Sequence, residues 1–129
     1  MSGGGKALVM DDEEMIREVA GELLALSGYE VEFAVNGEKA IEAYKNAKDA
    51  QRPFDLVILD LTVPGGIGGR EAIGVLLQID PGVKAIVSSG HSNDPVVSDY
   101  RRYGFRGVIL KPYNVTNFVA EVRRVMGAP

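Results

Sequence analysis

The sequence predicts an α/β domain built on a doubly wound, five-stranded parallel sheet. Three observations lead there. Strand-like and helical hydrophobic periodicities alternate five times along the chain. The runs at 56–59 and 107–110 are apolar almost without interruption, the pattern of strands buried on both faces. Three such runs end in an ionisable side chain and a fourth in hydroxyls. Ala7-Leu8-Val9-Met10 meets Asp11-Asp12, Leu56-Val57-Ile58-Leu59 meets Asp60, Ile86-Val87 meets Ser88-Ser89, and Val108-Ile109-Leu110 meets Lys111. Repeated strand–helix units close into a parallel sheet through right-handed crossovers, and ligands bind beyond the carboxyl ends of its strands.

Residues 1–5 read as a flexible leader or linker, because Ser2-Gly3-Gly4-Gly5 brings no apolar contact and much backbone entropy. Residues 6–129 read as one domain. Strands are expected at about 6–10, 29–35, 54–59, 83–88 and 107–110, with helices at about 13–27, 37–50, 68–79, 94–103 and 114–126. In the first helix Ile16, Val19, Ala20, Leu23 and Leu24 follow the one-face template, and Gly28 suits a left-handed cap. The segment 29–35 alternates Tyr29, Val31, Phe33 and Val35 with Glu30, Glu32 and Ala34, so one face is partly wet, as at a sheet edge. The last helix presents Val115, Phe118, Val119, Val122, Val125 and Met126 behind a candidate N-cap, Asn114.

With 129 residues, the chain can bury one core but not two. No apolar run approaches the roughly 20 residues needed to span a bilayer, and no signal-peptide pattern opens the chain. Zero cysteines exclude disulfides and thiolate metal sites, and the combination reads as cytoplasmic. A net charge of −4 argues against direct nucleic-acid binding. The pairs Arg101-Arg102 and Arg123-Arg124 read as solvated helix faces.

The rim residues carry the chemistry. Asp11 and Asp12 sit where a helix N-cap belongs, yet one acid would serve, and Glu13 and Glu14 already enrich the first turn. Bringing Asp60 beside them sets unit charges against each other at a cost of roughly 4 kcal/mol per pair at about 4 Å. A cation resolves this, and all-oxygen ligation suits Mg²⁺. Lys111 can neutralise phosphoryl oxygens while Ser89 donates a hydroxyl proton to one of them. Asp60 is then placed to attack phosphorus in line.

As a set, these motifs resemble the receiver domains of two-component response regulators over about residues 6–126, the chemotaxis regulator being the simplest relative. The resemblance implies a flavodoxin-like strand order of 2-1-3-4-5. It implies Mg²⁺ held by Asp12 directly, by Asp11 mainly through water, by Asp60 and by the Thr62 backbone carbonyl. Asp60 would accept the phosphoryl group, with Ser89 and Lys111 binding it. The donor would be a phosphohistidine on a histidine kinase or histidine phosphotransfer domain. Pro64 and Gly68 match the family's loop residues, and Lys111-Pro112 its usual cis peptide. Val108 departs from it, because an aromatic often stands three positions before the lysine. The glycine-rich loop 61–69 and the stretch 88–94 are similar to receivers fused to hybrid sensor histidine kinases. His91, two residues past Ser89, is expected as an exposed loop residue that affects loss of the phosphoryl group.

Two rivals share parts of this pattern. Asp60-Leu61-Thr62 loosely resembles the nucleophile motif of haloacid-dehalogenase-like phosphatases, but lacks their second acid. A flavin binder of the same fold needs a hydroxyl- and glycine-rich phosphate loop where Asp11-Asp12 would repel phosphate.

Overall fold

A computed structural model describes residues 5–127, so most of the expected 1–5 leader and the last two residues lie outside the described part. The elements are β1 (Lys6–Met10), α1 (Glu14–Leu26), β2 (Glu30–Ala34), α2 (Gly37–Asp49), β3 (Leu56–Asp60) and α3 (Gly69–Ile79). They continue with β4 (Ala85–Ser89), α4 (Pro95–Ser98), α5 (Tyr100–Tyr103), β5 (Gly107–Leu110) and α6 (Val115–Val125). All strands pair in parallel in the order β2-β1-β3-β4-β5. Gly5 is already joined to this sheet, its carbonyl accepting from Glu30 N–H at 2.8 Å.

Strand alternation divides the core in two. Ala7, Val9, Leu56, Ile58, Ile86 and Ile109 pack against α1 and α6 through Ala20, Leu23, Leu24, Phe118, Val122 and Val125. Leu8, Met10, Val57, Leu59, Ala85 and Val87 face α2, α3 and α4 through Tyr44, Ala72, Ile73, Leu76 and Val96. β3 and β4 are buried along their whole lengths, as expected of central strands covered on both faces. Apolar burial at about 25 cal/mol per Å² makes this two-sided packing the main support of the fold. No helix among the described residues is long and apolar enough to cross a membrane.

The caps follow the sequence closely. Gly28 has φ 91°, and Tyr29 N–H reaches back to the Leu24 carbonyl, closing a Schellman turn after α1. Asn114 accepts from Asn117 N–H at 3.1 Å and caps α6.

Three expectations are corrected. β5 is less fully buried than expected: it is the second edge strand, and although Val108 and Ile109 face opposite cores, Val108 is only half-buried and Leu110 is 44% exposed. The helix expected over 94–103 is two single turns separated at Asp99, whose backbone leaves the helical region. Pro95 and the Asp94 cap start the first turn, but β-branched valines, Ser98 and Asp99 propagate a helix poorly. Gly104 at φ 105° ends the second turn. Finally, Val19 and Val115 lie outside the packed stripes of their helices, at 38% and 61% exposure.

Candidate functional site

Parallel pairing levels the strand ends. Met10 lies opposite Leu59, Asp60 opposite Ser88, and Ser89 opposite Leu110. The residues at or just past those ends therefore converge on one rim. Leu61 N–H binds the Ser88 carbonyl and Lys111 N–H the Ser89 carbonyl, tying β3 and β5 to the end of β4.

Asp11, Asp12 and Asp60 each offer one carboxylate oxygen within 4.8 Å of the others. Asp11 and Asp60 are buried and Asp12 is exposed. Neither Asp11 nor Asp12 is the N-cap of α1; that position is Glu13, whose side chain makes no capping bond. Asp11 Oδ1 instead accepts from Glu13 N–H at 2.9 Å. Lys111 Nζ donates to Asp60 Oδ1 at 3.2 Å and lies 2.8 Å from Asp11 Oδ2. That second approach is an ion pair without good hydrogen-bond direction, so the buried Asp11 Oδ2 lacks a directed partner.

One ammonium thus contacts two of the three clustered carboxylates. The all-oxygen donor set and the buried Asp11 Oδ2 fit a hard divalent cation such as Mg²⁺. Burial pushes the Asp60 carboxyl up to about 6, the Asp11 charge adds to this, Lys111 opposes it, and Asp12 adds further. Burial works against the Lys111 ammonium, but its contacts with Asp11 and Asp60 outweigh that and hold its pKa above the ordinary lysine value. A buried carboxylate disfavoured in its charged form, beside Asp11 and Lys111, marks a candidate functional site.

The loop after β3 is shaped by glycine. A Cβ at Gly68 would lie 2.5 Å from the Leu61 carbonyl oxygen, and one at Gly69 would lie 2.7 Å from that of Asp60. Only glycine lets α3 start this close to the end of β3. Thr62 lies in this loop and is exposed. Ser89 reaches the rim, but its Oγ accepts from His91 N–H at 3.0 Å and contacts the His91 carbonyl only at 3.5 Å. The hydroxyl proton is therefore weakly committed. His91 is exposed, as expected, and Lys111-Pro112 is cis.

Sequence reasoning did not single out Tyr113. Its hydroxyl lies 2.7 Å from Ser88 Oγ, and its ring packs against Phe118 with centroids 5.1 Å apart. The available signal was an aromatic directly after Lys111-Pro112.

Several known proteins are similar to this chain in sequence or in architecture. The chain is 32% identical over 123 residues to the chemotaxis protein CheY of Thermotoga maritima, covering 95% of this chain and 98% of that one. It is 33% identical over 108 residues to the response regulator receiver protein Anae109_2439 of an Anaeromyxobacter species, covering 84% of this chain but 43% of that longer protein. Among solved structures, the receiver domain of NtrX from Brucella abortus superimposes with a TM-score of 0.84 at 25% identity, covering 95% of this chain and 99% of that one. A chain of the CheX-CheY-BeF3-Mg+2 complex from Borrelia burgdorferi superimposes with a TM-score of 0.85 at 24% identity, covering 94% of this chain and 88% of that one. With its residues 7–123 matching the family and its acidic rim in place, the chain belongs to the response regulator receiver domain family.

Proposed function

We propose that this chain is the phosphoacceptor of a two-component phosphorelay, with Asp60 taking a phosphoryl group from a phosphohistidine. The observation that carries this reading is the convergence of Asp11, Asp12, Asp60 and Lys111 on one rim. In the transfer, a bond forms between an Asp60 carboxylate oxygen and phosphorus while the phosphorus–nitrogen bond to the donor histidine breaks. Asp11, Asp12, Asp60 and the Thr62 carbonyl would hold Mg²⁺, which supplies charge neutralisation of phosphoryl oxygens. Lys111, already on Asp60, neutralises charge from the other side, and Ser89 donates the proton of its weakly committed hydroxyl.

The resulting aspartyl phosphate adds charge and acceptor oxygens to the rim. Drawing Ser89 and Lys111 inward shifts the population of conformations of the loop 90–95 and the elements beyond it. The phosphodonor partner is a histidine kinase or histidine phosphotransfer domain. Met15, Val19 and Leu26, exposed at helical spacing on α1, offer it an apolar surface beside α6. The glycine-rich loop 61–69 and the stretch 88–94 favour a place in or near a hybrid sensor kinase, in the cytoplasm. The domain by itself turns over only its own phosphoryl group.

Intact-protein mass spectrometry after incubation with acetyl phosphate and Mg²⁺ tests this reading. Wild type is expected to gain one phosphoryl group and Asp60→Asn none. Equal labelling of the two, or multiple turnover of a phosphate ester by wild type, would overturn it.

A further inference from the structure

Behind the rim, Ser88 and Ser89 are consecutive residues with opposite duties. Ser89 closes the turn to His91. Ser88 is 1% exposed and shares a sheet face with Ile86, on the side of α1 and α6. Among the described residues its hydroxyl has one side-chain partner, the Tyr113 hydroxyl at 2.7 Å. Either hydroxyl can donate this part-buried bond, whose 2.7 Å length is typical of a strong O–H···O contact.

The bond also brackets the lysine. Lys111 N–H is held by the Ser89 carbonyl, and two residues on, Tyr113 is held by the Ser88 side chain. The end of β4 thus grips the chain on both sides of Pro112, with the Lys111 ammonium on Asp11 and Asp60 between the two attachments. From Tyr113 the contact continues into α6, because its ring packs on Phe118, which is buried against Val122. Val108, at the position where relatives often place an aromatic, faces the other core and carries no hydroxyl.

We propose that the Ser88–Tyr113 hydroxyl pair positions Lys111 for phosphoryl transfer to Asp60 and connects the rim to α6. Both residues are positioning residues, since neither touches the reacting atoms. The role in transfer rests on Asp60 being the acceptor; the grip on Lys111 exists in the unphosphorylated protein as well.

Tyr113→Phe keeps the ring on Phe118 and removes only the hydroxyl, and Ser88→Ala removes its partner. Each single variant is expected to slow acetyl-phosphate labelling by about tenfold, because small misplacements of a charged group weaken transition-state contacts steeply. The double variant is expected to be no slower than the worse single, because both delete the same bond. Multiplying losses, or labelling unchanged in both singles, would overturn the proposal. A second readout needs no phosphorylation: the ¹³Cε resonance of Lys111 in the free protein. It is expected to move in Tyr113→Phe while those of Lys6 and Lys48 stay in place, and an unmoved Lys111 signal would overturn the grip itself. If wild type fails to label while that shift is seen, the phosphoacceptor reading and the role in transfer fall, and the grip stands.

Discussion

At the amino-terminal end of the sheet, Asp80 accepts the Tyr44 hydroxyl at 2.8 Å and Gly82 N–H at 2.9 Å. On α6, Glu121 accepts from Arg124 Nε and Nη2 at 2.9 Å each and from Val108 N–H at 2.9 Å. The Tyr44 hydrogen bond holds the Asp80 carboxyl below its ordinary pKa, and the Arg124 contacts do the same for Glu121. At the carboxyl end, Asp60 is buried beside Asp11 with Lys111 shared between them, and its pKa rises to about 6. Carboxylates at one end are satisfied and support the fold. Those at the other leave charge uncompensated, which favours a cation and reactivity at some expense in stability.

The largest contrast should appear in stability against pH without divalent cations. Because folding raises the Asp60 pKa from 3.8 to about 6, the folded state binds this proton more tightly than the unfolded chain. The stability this confers is complete below about pH 4 and is lost as the pH rises through about 6. Urea melts should therefore show Asp60→Asn gaining on wild type across that window, by at most about 3 kcal/mol. Mg²⁺ should narrow the gap by stabilising wild type alone. A constant difference from acid to neutral pH would break the contrast at its functional end.

A smaller effect of opposite sign is expected at the other end. Folding lowers the Asp80 pKa, so its contribution is present above the ordinary carboxyl range and disappears as the pH falls through the folded value. Asp80→Asn should destabilise the protein near neutral pH by about 1 kcal/mol, since the buried Tyr44 hydroxyl loses a charged acceptor. Stabilisation in the same melts would contradict the division of labour.

The smallest effect concerns His91, exposed and bonded to the site only through its backbone. His91→Ala is expected to change the lifetime of the aspartyl phosphate by about two- to fivefold while leaving Mg²⁺ affinity nearly intact. An unaltered lifetime, followed by loss of the phosphoryl mass, would remove His91 from the mechanism.

Much of this organisation is legible before any coordinates. The termini of the apolar runs name Asp11, Asp12, Asp60, Ser89 and Lys111, because a parallel sheet brings strand ends to one rim whatever the loops do. Helix faces and the caps at Gly28 and Asn114 follow from local periodicity and backbone preference. The reading fails where a local pattern has two tertiary outcomes. The run 107–110 suits a central or an edge strand equally, and the 94–103 pattern does not reveal the break at Asp99.

Sequence alone determined the alternating βα order and the kinds of side chain that end each strand, because these depend on spacing along the chain. Packing decided the rest: the exposure of β5, the split of α4 from α5, the missing directed partner at Asp11 Oδ2 and the bond between Ser88 and Tyr113. Those features depend on distances between atoms far apart in the chain, which are set only when both faces of the sheet are covered.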